Sequence, residues 1–264
     1  MLHKNYNLAQ KNNFIVYLQV INKPTIITTQ RIVLSIKDLT LAYQSEHLIL
    51  ENLNLEVADG QIHGLVGTNG SGKTSLLKCI SGEINFYKGK IFWRGKTLLH
   101  QEVALLETNN YFYHYLTGRE YLQIFQAYRS QFDIGLVNEI FRLPLHELID
   151  NYSTGMKKKL AFMALLSLDR PIVILDEPFN SIDMEGSFAF RKIISLLKEK
   201  GKTLLITSHI FESLTNICDQ IHYLAEKRIY KSYFQREFGN LQKDLEHLLE
   251  GQNIQTWGKI KNMI

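Results

Sequence analysis

Hydrophobic and polar positions alternate in short runs over the first part of the chain, which is typical of β-strands with one buried face. Three of these runs are predicted strands: residues 32–36, 39–43 and 53–57. A turn at Lys37 and Asp38 separates the first two, and Asp59-Gly60 predicts a hairpin turn after the third. Residues 62–66 are expected to form a further strand, and residues 75–81 follow it with a helical pattern.

Later in the chain, residues 172–175 and 203–206 are continuous apolar runs, as expected for central strands that are covered on both faces. Residues 185–200 lie between them with helical spacing, so that strand, helix and strand form a parallel α/β unit. Residues 116–150 are mostly helical in pattern. We therefore predict an α/β fold with a parallel-sheet core, an N-terminal antiparallel β subdomain and an inserted helical subdomain at about residues 109–155.

The composition is that of a globular protein, with 45% hydrophobic and 21% charged residues, and it argues against a disordered chain or a coiled coil. The two cysteines, Cys79 and Cys218, make no disulfide framework, so a reducing cytoplasm is the predicted compartment. No apolar run approaches the ~18–20 residues that a membrane-spanning helix needs. Four histidines lack metal-ligand spacing and are expected to be structural or surface residues: His63, His100, His114 and His222.

The net charge of +4 is concentrated at the two ends of the chain. Residues 1–31 carry +4 and residues 227–264 carry +3, which leaves −3 for the middle. This distribution argues against a protein that coats nucleic acid. We interpret residues 1–31 as an N-terminal extension, residues 32–250 as the main domain and residues 251–264 as a C-terminal tail.

One segment carries the phosphate-binding pattern G-x-x-x-x-G-K-[ST] without a mismatch. Its residues are Gly67, Thr68, Asn69, Gly70, Ser71, Gly72, Lys73 and Thr74, with Ser75 next in the chain. Gly70 and Gly72 allow backbone angles that turn N–H groups toward phosphate oxygens, and a helix that begins near Lys73 directs its positive end at the same anion. Lys73 is expected to reach the β- and γ-phosphates, and the Thr74 hydroxyl to bind Mg²⁺. The alternative is a glycine-rich turn that contains a lysine by chance, and the flanking strand and helix argue against it.

Two acidic residues, Asp176 and Glu177, follow the apolar run at residues 172–175. A phosphate-loop protein needs an acid at this place to hold Mg²⁺, directly or through water, and Asp176 is the candidate. Glu177 would then orient or deprotonate the attacking water. The alternative is a solvated acidic strand end before Pro178, and the phosphate-binding pattern upstream favours the catalytic interpretation.

Further segments resemble those of a known family. Residues 152–156, Tyr-Ser-Thr-Gly-Met, resemble the signature motif of ABC-transporter ATPases, and residues 180–183, Asn-Ser-Ile-Asp, resemble their D-loop. His209 matches the switch histidine, and Tyr43 matches the aromatic residue that stacks on adenine. The resemblance covers about residues 32–250 in the expected order. Residues 116–122 and the form of the signature are most similar to the ATPase subunits of ABC-2-type exporters.

The resemblance implies a P-loop NTPase fold with a RecA-like core, and two ATPase domains that pack head to tail around ATP. Ser153, Gly155 and Met156 would bind the nucleotide held by the opposite subunit, and Asp183 would help to link the two sites. His209 would contact the γ-phosphate and act in catalysis together with Glu177 and Lys73. Binding of ATP would close the dimer and hydrolysis would reopen it, and this motion would drive the membrane partners.

The chain departs from the family pattern where a glutamine usually senses Mg²⁺. Ungapped register places Thr108 at this position as the nucleotide-site residue, and a shift by one residue would make Glu107 the oxygen ligand instead. Thr154 replaces the first glycine of the usual signature, and Met156 replaces a common polar residue; neither change is interpreted as inactivating. The lysines at residues 157–159 are interpreted as a solvated helix face.

The predicted function is the binding and hydrolysis of ATP, with Mg²⁺, to power a separate transmembrane exporter. The expected partners are a second ATPase subunit, in a homodimer or heterodimer, and transmembrane permease subunits, with no nucleic acid. The chain would then be a peripheral protein on the cytoplasmic face of the cell membrane. Two alternatives stay open: a nucleotide-binding switch with weak or no turnover, which the missing glutamine suggests, and a soluble ABC ATPase that is not coupled to transport.

Overall fold

The computed structural model describes residues 31–44, 47–127 and 131–244, so most of the predicted N-terminal extension and the whole predicted C-terminal tail lie outside the described residues. The strands are β1 (Ile32–Gln44), β2 (His47–Ala58), β3 (Ile62–Val66), β4 (Lys88–Trp93), β5 (Lys96–Thr97), β6 (Val103–Leu106), β7 (Ile172–Leu175), β8 (Thr203–Thr207), β9 (Gln220–Ala225) and β10 (Arg228–Phe234). The α-helices with both ends in the described residues are α1 (Lys73–Ser81), α2 (Gly118–Gln126), α3 (Ile134–Phe141), α4 (Thr154–Ser167), α5 (Met184–Glu199) and α6 (Phe211–Thr215), and residues 238–244 are also helical.

A four-stranded antiparallel sheet has the strand order β2-β1-β4-β5. The two strands predicted at residues 32–36 and 39–43 are one continuous strand, β1, so the turn predicted between them is wrong. The register between β1 and β2 shifts between Ile36 and Leu39, and Asp38 adopts a φ of 51°. Because Ile36 and Leu39 are both buried although they are three positions apart, an extra residue has to bulge out between them.

The second sheet has six strands in the order β10-β9-β3-β8-β7-β6. The strands from β9 to β6 are parallel, and β10 pairs antiparallel at the edge. Every residue of β3, β7 and β8 is buried, which confirms the predicted parallel core. Asp59-Gly60 is a turn, but it is not the predicted hairpin, because β2 and β3 belong to different sheets.

The six-stranded sheet has an apolar cluster on each of its faces. Apolar residues of α1 and of the antiparallel sheet pack together on one face, and residues of α4, α5 and the helical segment at 116–150 pack on the other. Because β3, β7 and β8 are parallel, their carboxyl ends lie at the same edge of the sheet. Ligands bind at this edge in open α/β folds. Within the described part of the chain, no helix has the length and apolar character that a membrane crossing requires.

Candidate functional site

The phosphate loop joins the end of β3 to the start of α1, which begins at Lys73 as predicted. Gly70 and Gly72 have φ values of 79° and 101°, a region that favours glycine. A Cβ atom at Gly67 would lie 2.5 Å from the carbonyl oxygen of Leu224, so this position has no room for a side chain. The loop is therefore held close to β9, with its backbone turned at the helix N-terminus.

Lys73 is folded back over the loop that precedes it. Its Nζ donates to the carbonyl oxygens of Gly67, at 2.8 Å, and Thr68, at 3.1 Å. Burial lowers the pKa of Lys73, and the carboxylates of Glu177 and Asp176 oppose this shift. The buried hydroxyl of Ser71 has no hydrogen-bond partner among the described residues, and a phosphate oxygen would supply one.

Asp176, at the end of β7, is the centre of a cluster of oxygen atoms, and its side chain is buried. Thr74 donates to Asp176 Oδ2 at 3.0 Å, Thr108 donates to the same oxygen at 2.9 Å, and Thr207 donates to Oδ1 at 2.6 Å. Carboxylate and hydroxyl oxygens are the donors that Mg²⁺ prefers, so this set fits the expected metal. The cluster thus joins Thr74 of α1 to residues of three different strand ends.

The two candidates for the missing glutamine point in different directions. Thr108 reaches Asp176, whereas the carboxylate of Glu107 pairs with Lys78 of α1 at 2.9 Å. Glu107 is therefore engaged by an ammonium group outside the acidic cluster. Of the two candidates, Thr108 is the one that lies at the site.

Glu177 lies beside the acidic cluster with its carboxylate close to His209. His209 Nδ1 is 3.0 Å from Glu177 Oε2, and the backbone N–H of Glu177 donates to Thr207 Oγ1 at 2.9 Å. A cleft of about 340 Å³ brings the phosphate loop and the two acids together. It is lined by Ile49, Asn69, Gly70, Gly72, Lys73, Thr74, Ser75, Asp176 and Glu177.

Tyr43 lies at the carboxyl end of β1, with 52% of its surface exposed. Its hydroxyl is 3.2 Å from Ser75 Oγ, and its ring meets Phe86 edge to face with the ring centres 6.0 Å apart. The ring therefore lies close to the first turn of α1 and keeps surface that an adenine base could cover.

The signature residues form a separate group at the start of α4. Ser153 caps this helix by accepting from the backbone N–H of Met156 at 3.2 Å. A Cβ atom at Gly155 would lie 2.6 Å from the carbonyl oxygen of Ser181, so the signature packs closely against the D-loop. Asp183 caps α5 in the same way, by accepting from Gly186 N at 2.7 Å. The hydrogen bonds found in the described residues do not connect this group to the phosphate loop.

The expectation of a solvated lysine face at residues 157–159 is wrong. Lys158 is only 3% exposed and donates to the carbonyl oxygen of Glu177 at 2.8 Å, and Lys159 pairs with Asp183 at 2.9 Å. The helical pattern contained a signal for Lys158, because the buried residues Ala161 and Phe162 lie three and four positions after it on the same face.

Comparisons with known proteins identify the family and the fold. The sequence profile of the family described as ABC transporter matches residues 50–180. The chain is 33% identical to the ABC transporter ATP-binding protein sll0415 of Synechocystis sp., over 80% of this chain and 63% of that protein. It is 31% identical to the bacitracin transport ATP-binding protein BcrA of Bacillus licheniformis, over 81% of this chain and 73% of that protein.

The fold is also similar to a solved structure, which is described as the ATP binding subunit of an ABC transporter. The TM-score is 0.71 at 26% sequence identity, and the match covers 78% of this chain and 93% of the solved one. The chain spans less than two thirds of the length of the Synechocystis relative.

Proposed function

This chain belongs to the family of ABC transporter ATP-binding proteins, and we propose that it binds and hydrolyses ATP to drive a separate transmembrane exporter. The observation that carries the proposal is the meeting of Lys73 and Thr74 of the phosphate loop with Asp176 and Glu177 in one cleft. This arrangement combines an anion-binding helix terminus, an oxygen cluster for a cation and a carboxylate that is able to take up a proton.

The phosphate groups would lie on the loop that ends at Gly72. There the backbone N–H groups, the positive end of α1 and the Lys73 ammonium all favour an anion. Lys73 Nζ, which bonds two loop carbonyls, would turn toward the β- and γ-phosphates. Tyr43 would stack on the adenine ring, and Ser71 and Ser75 would lie within the phosphate site.

Thr74 and Asp176 would hold Mg²⁺, with Thr108 close to Asp176 in place of the usual glutamine. When it is bound, the cation offsets the negative charge of the phosphate groups. Glu177 would accept a proton from the attacking water, and His209 would orient the Glu177 carboxylate through Nδ1. The direct contact of His209 with the γ-phosphate stays a prediction.

The signature would complete the ATP site of a second ATPase subunit. Ser153 and Gly155 lie at the N-terminus of α4, where a helix end favours the binding of a phosphate group. No hydrogen bond among the described residues connects them to the chain's own phosphate loop, which leaves them free to act on a partner. Transport is proposed because the relative from Bacillus licheniformis is named for bacitracin transport. Export is proposed because residues 116–122 and the form of the signature are most similar to the ATPase subunits of ABC-2-type exporters. The chain would bind its permease at the cytoplasmic face of the cell membrane.

The decisive experiment measures steady-state ATP hydrolysis and ATP affinity for the wild type and for Glu177→Gln in the presence of Mg²⁺. We expect Glu177→Gln to keep ATP affinity within about two-fold, and to lower kcat by roughly 100-fold or more because the proton acceptor is lost. Glu56→Gln, an exposed change on β2, is the matched control. If the wild type binds ATP without turnover, the chain is a nucleotide-binding switch; unchanged hydrolysis in Glu177→Gln would exclude Glu177 as the base.

A further inference from the structure

Lys158 is a buried cation that contacts the backbone of the proposed catalytic base. Its Nζ donates to the carbonyl oxygen of Glu177 at 2.8 Å, while the backbone N–H of Asn180 reaches the same oxygen at 3.3 Å. Lys158 lies in the second turn of α4, five positions after the cap residue Ser153. It therefore connects the helix that begins at the signature to the residue that would activate water.

The backbone of Glu177 is held in a conformation that an L-residue rarely adopts. Its φ is 49°, and the next residue is Pro178, which further restricts the backbone of the residue before it. Such a conformation persists only where its surroundings fix it. Thr207 Oγ1 holds the N–H group of Glu177, and Lys158 supplies the shorter of the two hydrogen bonds to its carbonyl group.

The burial of the Lys158 ammonium group needs an explanation beyond packing. Burial lowers the pKa of Lys158, and the nearby carboxylates of Asp176 and Glu177 oppose the shift. An apolar side chain of similar length would pack against Ala161 and Phe162 without the cost of desolvating an ammonium group. The directed hydrogen bond to Glu177 is the contact that an apolar side chain could not provide.

We propose that Lys158 is a positioning residue for Glu177. Its ammonium group fixes the Glu177 carbonyl, and thereby the backbone that directs the Glu177 carboxylate toward the attacking water. Lys158 takes no part in proton transfer itself. The proposal rests on the proposed function, because a positioning role matters only if Glu177 acts on ATP.

Lys158→Met and Lys158→Gln test this role in the full chain, under the conditions used for Glu177→Gln. Lys158→Met keeps the length of the side chain and removes the donor, so kcat should fall by roughly 10- to 100-fold, the scale on which a misplaced catalytic group slows a reaction. The KM for ATP should change less than about two-fold, because Lys158 does not reach the phosphate loop. Lys158→Gln retains an N–H donor and should recover most of the lost kcat. Lys157→Met, which changes a neighbouring half-buried lysine, is the matched control.

Crystal structures of both variants add a measurement that does not depend on turnover. In Lys158→Met, Glu177 should leave its left-handed backbone conformation, and in Lys158→Gln it should keep it. An unmoved Glu177 backbone in Lys158→Met overturns the proposal, as does an equal loss of kcat in both variants. Normal kcat in Lys158→Met, with hydrolysis abolished in Glu177→Gln, overturns the role of Lys158 alone. If Lys158→Met does not fold, Lys158→Gln alone decides. A kcat near the wild-type value in Lys158→Gln supports the donor role. A loss of kcat in Lys158→Gln as large as that in Glu177→Gln contradicts it.

Discussion

Acid should destabilise this protein through a pair of buried histidines on the neighbouring strands β3 and β9, one of which also bonds to β2 of the other sheet. Ala58 N–H donates to His63 Nε2 at 3.1 Å, so the proton of neutral His63 lies on Nδ1, which is 3.0 Å from His222 Nε2. His222 Nδ1 then donates to Ser232 Oγ at 2.7 Å. Every ring nitrogen is used while both rings are neutral, and a further proton on either ring would have no acceptor in this chain of hydrogen bonds.

The size of the effect follows from the pKa values. Burial lowers the pKa of His63 from 6.5 to about 4, with the charge of Asp219 acting in the opposite direction, and burial also lowers the pKa of His222. Below pH 6.5 the unfolded chain takes up a proton at His63 that the folded protein does not. The free energy of unfolding therefore decreases as the pH falls toward 4, and His63 alone accounts for about 2 kcal/mol between about pH 8 and pH 5. His222 changes stability in the same direction.

The assay is urea unfolding of the wild type, His63→Gln and His146→Gln at about pH 8 and pH 5. In His63→Gln the side-chain amide can still accept from Ala58 N–H but does not titrate. Between about pH 8 and pH 5, the free energy of unfolding of this variant should therefore decrease by about 2 kcal/mol less than that of the wild type. His146 is exposed, and His146→Gln is the control for the loss of a histidine at the surface. If the free energy of unfolding decreases equally in the wild type and in His63→Gln between the two pH values, the reasoning is refuted.

Two further predictions concern the ATP site. Lys73→Ala removes a charged donor, so ATP affinity should fall roughly 10- to 100-fold in a binding titration. Lys88→Ala, a change at an exposed lysine, is the control. Unchanged ATP affinity in Lys73→Ala would contradict the assignment of the phosphate loop. Ser153→Ala subunits mixed with tagged wild-type subunits should reduce hydrolysis at the site of the opposite subunit, whereas damage confined to the mutated subunit's own phosphate loop would argue against a shared site.

Several features followed from contiguous residues. The phosphate loop could be predicted because all its chemical groups lie within eight positions, and because a strand before it and a helix after it have their own hydrophobic periods. The parallel core could be predicted for a similar reason, since β7 is a continuous apolar run and β8 has an apolar run at residues 204–206. Asp176 and Glu177 were predicted as site residues because they directly follow β7.

Other features depended on the path of the backbone and the directions of side chains, which hydrophobic periodicity does not specify. The continuous path of β1 arises from a bulge, which the flanking strands stabilise by pairing on both sides of it. Thr108 and Glu107 are neighbours in sequence just after β6, yet Thr108 bonds to Asp176 whereas Glu107 pairs with Lys78. Neither outcome could be obtained from residue types alone.

The sequence by itself thus determined the phosphate-binding chemistry and the α/β core, because both depend on groups that are close along the chain. Only the tertiary structure decided which polar residues are buried and which groups they contact. Lys158 meets Glu177 from a different element, and His63 meets His222 across 159 positions. The physical reason is that the cost of burying a polar group depends on a partner supplied by the fold, and that partner has no fixed separation in sequence.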